Sequence, residues 1–99
     1  MSVINMTNYN TELLKEAHKY SIYNYTSVRN SPICGCFYCQ STFEPKDIEE
    51  WTDTESHLEP TALCPNCGID AVIGSVTGFK VSDPNFLKEM NYCWFCSSK

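Results

Sequence analysis

The residues best equipped to do chemistry are cysteines. Cys36-x2-Cys39 is followed, after 24 intervening residues, by Cys64-x2-Cys67. A CxxC turn aims two thiolates at one ion while main-chain N–H groups stabilise the sulfurs, and two such turns close a tetrahedral shell. The spacing predicts one metal ion held by Cys36, Cys39, Cys64 and Cys67. Four thiolates suit zinc first and iron as the alternative. A shell of four protein ligands leaves no open position for water, so the site reads as structural and the chain as no enzyme. Cys67-Gly68 fits this reading, because glycine lets the main chain turn sharply past the last ligand.

Three further cysteines stand near these turns. Cys34 precedes Cys36 by two residues and is the alternative ligand if the register shifts. Cys93 and Cys96 form another CxxC within an apolar helical pattern, with no second pair left to complete a separate shell. They read as a small buried residue and a helix end. Seven cysteines cannot all pair internally. The N-terminus, Met1 to Asn8, has no basic region and no apolar segment, so a reducing, cytoplasmic setting is expected, where CxxC pairs bind metal. No apolar run is long enough to span a membrane.

Elements must position these turns. Residues 1–9 are polar and read as flexible. From Thr11 to Tyr25, Leu13, Ala17 and Tyr20 recur at helical spacing behind a capping Asn10 or Thr11, which predicts a helix over 11–25. Residues 34–74 form the metal-binding unit. Within it, Ser41-Thr42-Phe43 and Thr61-Ala62-Leu63 read as short strands. Pro45 opens two helical turns that place Ile48 and Trp51 on one face. Ile69 to Gly74 is apolar but too short to assign as strand or helix. Ser82-Asp83-Pro84 signals a helix start, and Phe86, Leu87, Met90, Cys93 and Trp94 make one stripe over 84–95. The expectation is a single α+β domain over 1–99, zinc-ribbon or treble-clef-like, with flanking helices packed on the metal unit. A chain of 99 residues has a modest core, which a metal cross-link would reinforce.

The chain carries seven basic and twelve acidic residues, a net charge of −5. The asymmetry is local: between Cys34 and Cys67 one lysine faces seven carboxylates. Phosphate contacts need Lys and Arg, so nucleic acid is an unfavoured partner. Glu49, Glu50, Trp51, Asp53 and Glu55 instead read as a surface for a protein partner, set against the plainer reading of a solvated acidic face. His18 and His57 belong to no catalytic motif, and there is no phosphate loop, HExxH or nucleophile elbow.

The stretches Cys34-Gly35-Cys36-Phe37-Tyr38-Cys39, Phe43-x-Pro45-x2-Ile48-x2-Trp51 and Ala62-Leu63-Cys64-Pro65-Asn66-Cys67-Gly68-Ile69-Asp70-Ala71-Val72-Ile73-Gly74 together resemble a family of small cytoplasmic zinc-ribbon-like proteins of bacteria and phages. The resemblance spans about residues 12 to 95 and implies a metal-binding fold. It brings no activity with it. A phage or mobile-element regulator that blocks a host enzyme is one form such a module would take, its acidic patch filling a basic groove. The Cys93-x2-Cys96 pair is a departure from that family. Cys64-Pro65-Asn66-Cys67-Gly68 is also similar to the second turn of rubredoxin, but Gln40 stands after Cys39 where that pattern has glycine, which weighs against electron transfer.

Overall fold

The computed structural model describes residues 9–55 and 57–95. Residues 1–8 of the segment read as flexible, and Cys96, lie outside them. Tyr9 lies inside them and is tied down: its hydroxyl donates to the Asp83 carboxylate and its ring meets Phe86 edge-on at 5.3 Å.

The described residues form an α+β fold with three α-helices and two small antiparallel sheets. Helix α1 runs Thr11–His18, α2 Tyr25–Arg29 and α3 Pro84–Phe95. Strands β1 (Cys34–Cys36), β2 (Thr42–Phe43) and β5 (Val72–Gly74) make one sheet in the order β2-β1-β5. Strands β3 (Trp51–Thr52) and β4 (Thr61–Ala62) make the other. No helix among the described residues is long and apolar enough to cross a membrane.

The core is built where the sheet meets α3. Phe37, Ile73, Val72, Val81, Phe86, Leu87 and Met90 are buried together, so the predicted stripe on α3 is the face it buries. Asp83 caps that helix, accepting the Asn85 N–H at 2.9 Å, with Pro84 at the first helical position. Gly35 lets the Val81 segment press on β1: a Cβ there would sit 2.6 Å from the Val81 carbonyl oxygen.

Two predicted helices are shorter than their sequence patterns. The segment 11–25 is not continuous. It passes from α1 through a 3-10 turn, Lys19–Ser21, to an extended Ile22 and a left-handed Tyr23 (φ 49°) before α2 begins. The cause is side chains that offer the main chain other partners. Ser21 Oγ donates to the His18 carbonyl (2.7 Å) and Asn24 Nδ2 to the Tyr20 carbonyl (2.9 Å). The break lets Asn24 reach inward, where Nδ2 also donates to the Val72 carbonyl (2.8 Å) and Oδ1 accepts the Ala62 N–H (3.0 Å). One buried side chain thus pins the N-terminal helices to both sheets.

The segment after Pro45 likewise makes a single 3-10 turn, Pro45–Asp47, instead of two α-helical turns. Asp47 closes it by accepting the Glu44 N–H at 3.0 Å, and Ile48 leaves extended. Trp51 then pairs with Ala62 in the β3–β4 ladder, and Leu63 N–H reaches the Glu50 carbonyl at 3.1 Å. Ile48 is still buried, but Trp51 lies on a strand against Tyr25, with ring centroids 4.9 Å apart. The apolar run after Cys67 resolves into β5, paired to β1 with Gly35 opposite Ile73.

Candidate metal centre

The turns at 36–41 and 64–69 have one and the same main-chain construction. In the first, Cys36 N–H donates to the Ser41 carbonyl (2.9 Å) and Gln40 N–H to the Cys36 carbonyl (2.8 Å). In the second, Cys64 N–H donates to the Ile69 carbonyl (3.0 Å) and Gly68 N–H to the Cys64 carbonyl (2.9 Å). Tyr38 N–H points at Cys36 Sγ (3.4 Å) and Asn66 N–H at Cys64 Sγ (3.3 Å). Each turn closes with a left-handed residue, Gln40 at φ 64° and Gly68 at φ 81°. Glutamine therefore takes the conformation that glycine takes in the partner turn, and the sequence departure at Gln40 is no departure in backbone shape. Six residues repeat in space, where the sequence repeats only Cys-x2-Cys.

The two turns face each other. The sulfurs of Cys36, Cys39, Cys64 and Cys67 all lie within 4.8 Å of one another. Cys36 Sγ is 3.7 Å from Cys67 Sγ, and Cys39 Sγ is 3.7 Å from Cys64 Sγ. A tetrahedron with metal–sulfur bonds of about 2.3 Å has edges of about 3.8 Å, so these contacts fit a four-thiolate metal site. Cys36 and Cys64 are buried, while Cys39 and Cys67 are half-buried at the rim.

The electrostatics fit as well. Burial pushes the Cys36 and Cys67 thiols up from their ordinary value. Burial also pushes Cys39 up, but hydrogen bonds from Asn66 and Ser41 outweigh it and bring that thiol down to about 6. Gathering such sulfurs as thiolates calls for a cation among them.

Cys34 stands apart from the group. It is buried on β1, its Sγ toward the Val28 carbonyl at 3.9 Å, and burial raises its thiol to about 12. Cys93 is half-buried on α3. His18 stacks on Trp94 with centroids 4.1 Å apart, a packing role, and His57 is exposed.

The acidic residues divide. Asp53 turns inward at φ 61° and accepts the Thr61 hydroxyl at 2.7 Å, which in turn accepts the Tyr23 N–H at 2.8 Å. Glu59 holds the start of α2, accepting the Thr26 N–H at 2.8 Å and its hydroxyl at 3.0 Å. Trp51 is half-buried, whereas Glu49, Glu50 and Glu55 face solvent. Glu49, Glu50 and Asp47 line one side of a cavity of about 270 Å³, whose other wall is Leu63, Cys64, Pro65 and Gly68 of the second turn.

Sequence reasoning did not single out Ser41 and Asn66. Ser41 Oγ lies 3.0 Å from Cys39 Sγ, and Asn66 Nδ2 lies 3.4 Å from it across the centre. The available signal was an amide between the paired cysteines Cys64 and Cys67. Comparison with family models, with curated proteins and with solved structures gives no match.

Proposed function

We propose that this chain is a non-catalytic binding module of zinc-ribbon type, held together by one structural zinc ion and directed at a protein partner. The observation that carries the reading is the closed set of four converging sulfurs. Both ligand pairs come from turns and none from α3, which favours a ribbon over a treble clef. Zinc bound there would supply a cross-link between the two sheets and no turnover. The chain's own residues do the rest: the N–H groups of Tyr38 and Asn66 support the buried sulfurs, and Asn24 holds the strand that leads into the second turn. Four thiolates and one zinc ion would take the chain from −5 to about −7.

That charge supports a basic protein partner over nucleic acid. Glu49 and Glu50 beside the second turn are exposed and have a cavity between them and Pro65, room for a basic side chain. The test is affinity capture from host extract with zinc-loaded protein, Cys64→Ser, and the double variant Glu49→Lys/Glu50→Lys. The expected result is one partner captured by the wild type, lost with the double variant although zinc is retained, and lost with Cys64→Ser together with the fold. Capture by the wild type and the double variant alike would remove the acidic face from the account. Salt-sensitive binding of nucleic acid would replace the protein partner.

A further inference from the structure

The spatial repeat of the two turns makes Cys39 and Cys67 counterparts. Each is the second cysteine of its turn, and each is half-buried at the rim. The buried ligands Cys36 and Cys64 are closed to reagents, at 0% and 3% exposure. The symmetry breaks in two side chains. Beside Cys39 stand Ser41 Oγ at 3.0 Å and Asn66 Nδ2 at 3.4 Å, the latter reaching over from the opposite turn. The corresponding positions beside Cys67 are Ile69 and Tyr38. Isoleucine has no donor, and the exposed Tyr38 ring packs edge-on to Phe95, 4.9 Å between centroids. Among the described residues, no side-chain nitrogen or oxygen bonds Cys67 Sγ, whose neighbour is Cys36 Sγ at 3.7 Å.

A metal-ligating cysteine is a thiolate, so Ser41 must donate to Cys39 and not accept from it. A hydrogen bond to a thiolate ties up a lone pair and lowers its nucleophilicity. Building on the metal reading above, we propose that Ser41 and Asn66 form a clasp that shields Cys39, and that Cys67 is the modification site at which soft electrophiles first enter the centre. In that reaction a Cys67 lone pair forms the S–C bond to an activated alkene. The π pair of the alkene takes a proton from water, which leaves hydroxide. The product is a neutral thioether, a poorer metal ligand than the thiolate it replaces. Asn66 gives the clasp a second property. Its main-chain N–H supports Cys64 while its side chain holds Cys39, so one residue spans two ligands from different turns.

The experiment uses the full chain loaded with one equivalent of zinc and limiting N-ethylmaleimide, followed by tryptic mass mapping. Cleavage after Lys46 puts Cys39 and Cys67 in different peptides, cleavage after Lys80 and Lys88 puts Cys93 and Cys96 in a third, and fragmentation assigns the label among cysteines that share a peptide. Of the four clustered cysteines, Cys67 should be labelled first, about tenfold faster than Cys39, the scale on which hydrogen-bond partners of ligands act. In Ser41→Ala/Asn66→Ala, Cys39 labelling should rise toward that of Cys67 while early Cys67 labelling is unchanged. Ile69→Ser should slow Cys67. Labelling of Cys39 as fast as Cys67 in the wild type would overturn the proposal, and that comparison does not depend on how the variants fold. Equal ratios in wild type and double variant would overturn the clasp. A chain that takes up no zinc overturns the metal reading itself, and is recognised by metal analysis before any labelling.

Discussion

Replacing Asn24 by alanine tests the claim that one buried amide assembles the scaffold around the sulfurs. Asn24 is 3% exposed and makes three hydrogen bonds, to the carbonyls of Tyr20 and Val72 and from the N–H of Ala62. Val72 and Ala62 are both wholly buried, so Asn24→Ala leaves one carbonyl and one N–H there without a partner or water. Each such group costs about 1–3 kcal/mol, which puts the total for the two at about 2–6 kcal/mol. A chain of this size has about 5–15 kcal/mol to lose. The side chain of Asn24 makes no cap hydrogen bond to α2, so the loss is not a helix-end effect. Asn24→Asp keeps the acceptor for Ala62, loses the donor toward both carbonyls and adds a buried charge, so it should be at least as damaging. Urea unfolding at fixed free zinc measures the change, with an unaltered slope showing that both states keep their extent. A loss under about 1 kcal/mol for Asn24→Ala would refute the reasoning, because buried main-chain groups left unpaired cannot be that cheap.

Gly35→Ala should destabilise by about 1–3 kcal/mol in the same assay, since its Cβ would meet main-chain oxygen of Val81 at 2.6 Å and backbone yields little. Gln40→Gly should stabilise by about 1 kcal/mol, because a left-handed φ of 64° strains any residue with a Cβ, and the gain is read as a raised melting temperature with zinc content unchanged. Tyr9 is shifted by burial and by its bond to Asp83, from 10.0 to about 12. Its folded value lies above its unfolded one, so its contribution is full below pH 10 and is lost as pH rises toward 12. Tyr9→Phe should therefore flatten the alkaline limb of the stability curve between those values, measured by denaturant titration across pH.

The clustering of Cys36, Cys39, Cys64 and Cys67 was legible because a CxxC turn is local: each declares itself within four residues. Helix α3 was legible for the same reason, with Asp83-Pro84 at its start and a stripe of Phe86, Leu87 and Met90 on one side. The helix break at Ile22 to Asn24 was not, because its reward lies 38 and 48 residues away, at Ala62 and Val72. Strand β3 was hidden similarly. Ile48 and Trp51 share a helical spacing, and only the ladder to β4 shows that the second belongs to a strand. Ser41 and Asn66 carry no pattern of their own. Their meaning appears once the two turns face each other and each side chain is seen to serve Cys39.

Everything proposed for this chain rests on four sulfurs holding one zinc ion. Zinc-edge X-ray absorption on protein purified without added metal, joined to metal analysis of the same sample, tests it most directly. One zinc per chain with four sulfur neighbours at about 2.3 Å is expected, with loss of that shell in Cys64→Ser. A shell containing nitrogen or oxygen, or a metal-free chain with Cys36, Cys39, Cys64 and Cys67 joined as disulfides, would contradict it.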